Sequence, residues 1–210
     1  MRVLLAGEGK TELGDWASHP SYRQDPPEKG LLEALLCRVK VDGWSVAGAI
    51  SWKNLPHDRK ALPRHYRAHE RMPAEVGNIM GLVVRARDVG CDAVVFSRDR
   101  DRDRQREKDV LDGISRARTA MPDFPKVVGG LAVEAIESWV VSLQERAGAE
   151  SAADPSSLLA DPSLASKRAI VERADLSKLP ADAKSLRQWL NQAAGLFEVR
   201  AGALFEAAKT

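Results

Sequence analysis

The sequence predicts an α/β protein in which a mainly parallel sheet carries helices on both faces and a helical tail closes the chain. Three observations carry that reading. Apolar runs of strand length alternate with stretches of helical spacing as far as about residue 145, the pattern of parallel strands joined by right-handed crossovers. The composition then shifts to Ala, Ser, Pro and Asp over residues 149–162, as in a linker. Beyond it, Leu186, Leu190, Ala193 and Phe197 recur on one helical face. The expected organisation is an α/β domain over 1–148, a linker over 149–162 and a helical C-terminal extension over 163–210.

Residues 2–6 are a short apolar run stopped by Gly7, which reads as a buried strand, with Glu8 to Glu12 in the loop after it. Residues 14–29 are rich in Pro, Ser and Asp and carry no period, so an irregular excursion is expected. Leu31, Leu32, Leu35, Leu36 and Val39 have helical spacing. Residues 44–52 suggest a second strand. Residues 53–73 are basic and broken by proline, as in an exposed loop with a short helix. Val76, Ile79, Met80, Val83, Val84 and Ala86 mark an amphipathic helix that ends near Gly90, and residues 91–96 are strongly β-prone. After a charged run over 98–109, Val110, Ile114 and Ala117 mark a helix closed by Pro122 and Pro125. Residues 126–131 read as a strand. Residues 133–145 read as a helix with Ala135, Ile136, Trp139, Val140 and Leu143 on one face, and residues 163–174 and 183–208 as the helical tail.

Composition narrows the functional classes. The 210 residues are 44% hydrophobic, enough for a real core, and a chain of this length buries roughly 70% of its unfolded surface. A net charge of +2 neither announces nor excludes a nucleic-acid partner. Cys37 and Cys91 lie far apart in apolar surroundings, which argues for reduced thiols and a cytoplasmic protein rather than a disulfide framework or a zinc site. The N-terminal apolar run is too short for a signal peptide, and no stretch approaches the ~20 apolar residues of a membrane span.

In parallel α/β sheets, ligands bind at the carboxyl ends of the strands. The loops there hold the most informative residues. Glu8 and Glu12 follow the first strand. Asp99, Asp101 and Asp103 follow the 91–96 strand within an alternating Arg-Asp run, and Glu134 and Glu137 follow the last strand. Alternate side chains of an extended segment point the same way, so Asp99 and Asp101 are placed to converge on one cation. Hard carboxylate oxygens suit Mg²⁺ or Mn²⁺. The interleaved Arg98 and Arg100, with Lys10, offset carboxylate repulsion and are candidate phosphate contacts. Two alternatives stand beside this. An Arg-Asp run is commonly a solvated, salt-bridged surface. Ser97 and Arg98 also separate the strand from Asp99, so Asp101 with Asp103 is a second candidate pair.

An apolar strand followed by Glu8-Gly9-Lys10-Thr11-Glu12, a later strand followed by Asp99-Arg100-Asp101, and Glu134-Ala135-Ile136-Glu137-Ser138-Trp139 resemble the TOPRIM (topoisomerase–primase) domain. More narrowly, the three motifs resemble the small TOPRIM-like bacterial proteins grouped as DUF4276. The resemblance covers residues 1–145. It implies a Rossmann-like fold with an acidic site for Mg²⁺ or Mn²⁺. Glu8 matches the family's glutamate, a general acid/base and metal ligand, and Asp99 with Asp101 matches its metal-binding pair. Glu12, Asp103, Glu134 and Glu137 are weaker metal candidates. It implies a nuclease of the OLD type, acting on DNA before RNA in anti-phage defence with an ABC- or AAA-type ATPase. The alternative is a non-catalytic regulatory subunit of such a complex. A topoisomerase is disfavoured because Tyr22 and Tyr66 are the only tyrosines, and a primase needs further domains.

Weaker signals remain. Gly7-Glu8-Gly9-Lys10-Thr11 is not a P-loop, since Leu4 stands where the first glycine belongs. His19, His57, His65 and His69 form no metal motif. The segment 53–71, with Arg59, Lys60, Arg64 and Arg67, is either a nucleic-acid track with Trp52 and Tyr66 available for stacking, or an exposed loop. Trp139 reads as core, whereas Trp189 suits either packing or a partner. The apolar tail makes a homodimer plausible.

Overall fold

The computed structural model describes residues 1–55, 72–123 and 125–206. Four strands, β1 (Arg2–Gly7), β2 (Ser45–Ser51), β3 (Ala93–Asp99) and β4 (Lys126–Ala132), form one all-parallel sheet in the order β2-β1-β3-β4. The helices are α1 (Lys10–Leu13), α2 (Leu31–Val39), α3 (Ala74–Asp88), α4 (Arg104–Ala120), α5 (Glu137–Ser142), α6 (Leu164–Arg173) and α7 (Lys184–Leu196). The layout is the expected Rossmann-like α/β arrangement. None of the described helices is long and apolar enough to cross a membrane.

Strand alternation divides the core into two. Val3, Leu5, Ala93, Val95, Val128 and Ala132 join the apolar residues of α2, α5, α6 and α7 on one face. Leu4, Ala6, Val94, Phe96, Val127 and Leu131 join those of α3 and α4 on the other. Gly129 lies under the Phe96 ring, where an added Cβ would overlap the ring atoms. Gly129→Ala is therefore expected to destabilise by about 1–3 kcal/mol through overpacking. Chemical denaturation checks this, and an unchanged midpoint would refute the tight contact.

Several expected boundaries are corrected. β3 runs three residues past Phe96, because Ser97, Arg98 and Asp99 pair in register with Gly130, Leu131 and Ala132 of β4. Charged residues carry no β signal of their own; the neighbouring strand supplies their ladder. α4 begins at Arg104, six residues before the first apolar position, because the Asp103 carboxylate caps the N–H groups of Gln105 and Arg106. The helix expected over 133–145 shrinks to α5. The chain leaves β4 through a turn with Glu134 at φ 64°, and α5 starts at Glu137. The excursion 14–29 contains two 3-10 turns, Gly14–Ala17 and Pro20–Tyr22. Of the basic segment, a 3-10 turn over Trp52–Asn54 is seen, while Arg59, Lys60, Arg64, Arg67, Tyr66, His57, His65 and His69 lie outside the described residues.

Residues 149–162 hold two 3-10 turns, Ala149–Ser151 and Pro155–Leu158. The chain then returns to the sheet. α7 ends at Leu196 rather than continuing to 208, and a 3-10 turn follows at Ala201–Phe205. Trp189 is fully buried; its indole N–H donates to the Phe96 carbonyl at 3.0 Å, and its ring lies 5.7 Å from that of Trp139. Trp139 in turn donates to the Ser185 hydroxyl, which the Glu150 carboxylate holds at 2.7 Å. Gln192 on α7 also closes the free edge of β4: its amide donates to the Gly129 carbonyl at 2.9 Å and accepts from the Gly129 N–H at 3.4 Å.

Candidate functional site at the carboxyl edge of the sheet

Parallel strands place all four carboxyl ends, Gly7, Ser51, Asp99 and Ala132, on one edge. Glu8 leaves β1 there. Its Oε1 forms an ion pair with Arg98 and accepts the Asp99 backbone N–H at 3.2 Å, while its carbonyl accepts from the Ser51 hydroxyl at 3.1 Å. Glu12, one turn on, is buried and folds back to accept the Gly9 N–H at 2.8 Å. Glycines allow this. A Cβ on Gly7 would stand 2.5 Å from that of Glu12, and one on Gly30 would strike the Glu12 carbonyl.

Arg98 and Asp99 are successive residues of β3, so they point to opposite faces of the sheet. This splits the site. On the α3 side, Arg98 pairs with Glu8 and, at 3.1 Å, with Glu75; Arg106 pairs with Asp101 and lies 3.4 Å from Glu75. Burial, then the nearby Arg106 charge, pulls the Arg98 guanidinium below its ordinary value. Trp52 donates to Glu75 at 2.9 Å and lies under the Arg98 guanidinium.

On the α2/α5 side sits a cluster of carboxylates. Burial pushes the Asp99 carboxyl up to about 7, and Glu12, Glu137 and Asp101 add to the rise. Asp99 Oδ1 is buried and accepts no hydrogen bond. Burial likewise raises Glu12, with a further rise from Glu137 and opposition from Lys167. Glu137 accepts from Lys167 Nζ at 2.6 Å, and that lysine, on α6, is only 5% exposed.

The other expected residues have different surroundings. Asp101 follows the end of β3 in a left-handed turn (φ 49°, with Arg102 at 61°) and pairs with Arg106 and, at 4.0 Å, Arg98. The extended alternation that would aim Asp99 and Asp101 at one point therefore stops at Asp99, although Asp101 still acts on it electrostatically. Asp103 is the cap of α4. Glu134 pairs with Arg100 and, at 3.8 Å, Arg102. Lys10 is mostly exposed, 3.7 Å from Glu28. Of the five non-glycine residues with positive φ among the described residues, Asp101, Arg102 and Glu134 lie at this edge, and the Asp101 N–H donates to the Glu134 carbonyl at 3.3 Å. Backbone of this kind concentrates at functional sites.

Sequence reasoning missed Glu75, Arg106 and Lys167. Lys167 had a signal: it shares a helical face with Leu164 and Val171, so a cation stands at a core position. Glu75 and Arg106 had none, because each is an ordinary polar residue in the first turn of its helix.

As they stand, no three acidic, histidine or cysteine side chains among the described residues are grouped to hold a metal ion. The chemistry of the donors does fit a hard divalent cation: an orphaned, buried carboxylate oxygen on Asp99, with Glu12 and Glu137 beside it and excess negative charge. Fold and site together define a Rossmann-like α/β protein with a partly buried group of carboxylates at its strand ends. No family model, curated protein or solved structure matches this chain.

Proposed function

We propose that this protein is a divalent-cation-dependent phosphodiesterase of the TOPRIM type, acting on nucleic acid, with DNA preferred over RNA. One observation supports it above the others: Asp99 ends a central strand with a buried oxygen that no hydrogen bond answers, amid Glu12 and Glu137. Such an arrangement is costly unless a positive charge completes it. Asp99, Glu12 and Glu137 would hold Mg²⁺ or Mn²⁺, which supplies a Lewis acid and an activated water. Glu8 orients β3 by accepting the Asp99 N–H, and Lys167 limits the negative charge around Glu137. Lys10 and Arg102, both largely exposed, would meet the phosphates. The motif resemblance extends this reading to anti-phage defence alongside an ATPase in the cytoplasm.

A second reading has its own support. Arg98 neutralises Glu8, and Lys167 neutralises Glu137, as in a binding subunit whose acidic site does no chemistry. Cleavage of plasmid and of single-stranded DNA with Mg²⁺ or Mn²⁺, against an EDTA control, separates the two. A nuclease loses roughly 10²-fold or more of its rate in Glu8→Ala and Asp99→Ala. Absence of cleavage, with Mn²⁺ binding that Asp99→Ala abolishes, keeps the metal site and favours the binding subunit over a nuclease that acts alone. Absence of both cleavage and Mn²⁺ binding refutes the metal site.

A further inference from the structure

We propose that the polar cleft beside β2 binds an unpaired nucleobase and its phosphate, so that the substrate strand is single-stranded where it meets the protein; this rests on the nucleic-acid reading above. The cleft has a volume of about 410 Å³, within the size range of small-ligand sites. It lies between the 3-10 turns after α1 and the end of β2, and Trp16, His19, Arg23, Ser51, Asn54 and Arg85 line it. Its position is tied to the acidic site. Ser51, which lines the cleft, donates its hydroxyl to the Glu8 carbonyl at 3.1 Å and pairs in register with Gly7. Ser51 therefore lines the cleft while touching the residue that leaves β1 at the acidic edge.

The lining has the chemistry of a base site. The Arg23 guanidinium lies 4.8 Å from the Trp16 ring centre, and its Nε donates to the Ser18 carbonyl at 3.2 Å, so a planar cation is held in place over an aromatic ring. Trp16 is itself anchored by packing on the core. Bases stack on guanidinium planes and aromatic faces of this kind. Arg85 is exposed and has no ion-pair partner among the described residues, and no acidic residue is among the described residues lining the cleft. Both features favour a phosphate. Tyr22, 81% exposed and edge-on to His19 at 6.2 Å, offers a second stacking surface beside it. A base that is paired and stacked within a duplex cannot enter a recess of this kind.

The test is fluorescence anisotropy of a labelled oligothymidylate about twelve nucleotides long, in EDTA so that cleavage plays no part. Arg23→Ala and Tyr22→Ala are each expected to weaken binding roughly five-fold or more, the range for loss of one stacked base. Arg23→Lys keeps the charge but not the plane, and is expected to stay weak. Arg85→Ala is expected to lower the salt dependence by about one phosphate contact. Lys126→Ala, at the amino edge of the sheet, controls for bulk charge and is expected to bind as the wild type does. Full binding by Arg23→Lys and Tyr22→Ala overturns the stacking site. So does equal affinity for duplex of the same length. Any of these leaves the phosphodiesterase reading to its own cleavage test, which does not depend on the cleft.

Discussion

Asp99→Asn is expected to stabilise the cation-free protein and to abolish its response to Mn²⁺. Burial and the neighbouring Glu12, Glu137 and Asp101 carboxylates push the Asp99 carboxyl up to about 7 from 3.8. The folded state therefore binds more protons than the unfolded state between about pH 4 and pH 7, and stability falls as pH rises through that window. Three units of difference correspond to about 4 kcal/mol at most by pH 8. Asparagine carries no charge, and its amide can donate to the carboxylates that now repel Asp99. The expected gain over wild type is about 1–2 kcal/mol at pH 5 and approaches about 4 kcal/mol at pH 8. Urea unfolding at the two pH values in EDTA measures it. Equal effects at both pH values, or a loss at pH 8, would show that Asp99 is already compensated in the folded protein. Mn²⁺ should raise the stability of the wild type and leave the variant unmoved, with apparent affinity rising toward neutral pH as Asp99 gives up its proton.

Trp189→Ala is expected to cost about 3–5 kcal/mol, a third or more of the stability of an ordinary domain. Trp189 is fully buried, packs on Trp139, and donates to the carbonyl of Phe96 in a central strand. Truncation opens a cavity and removes a partner from a buried backbone oxygen. Trp189→Phe should cost less, about 1–2 kcal/mol, chiefly for the missing hydrogen bond. A loss below 1 kcal/mol for Trp189→Ala would mean that α7 is dispensable to the core. The consequence reaches the site, because Lys167 on α6 belongs to the same C-terminal part and holds Glu137. Loosening these helices should therefore disturb the carboxylate cluster as well as the core.

The reading from sequence was strongest where burial is periodic. α2 and α3 fall where the apolar spacing placed them, and β1 and β4 extend one residue beyond their apolar runs. It was weakest where charge hides the pattern. Ser97 to Asp99 look like loop, yet they are strand because β4 lies alongside; the first turns of α4 look like a solvated run, yet they are helix because Asp103 caps them.

By itself, the sequence determined the alternation of strands and helices and the placing of Glu8, Glu12 and Asp99 after apolar strand runs, since both depend on patterns within a few residues. Only the tertiary structure decided which charges meet. Asp99 faces Glu12 and Glu137 while its neighbour Arg98 turns to Glu8 and Glu75, because the strand continues and alternates through both. It also decided that the C-terminal helices belong to the core. Trp189 finds the Phe96 carbonyl and Lys167 finds Glu137 across 93 and 30 residues of chain, distances over which no local pattern carries information.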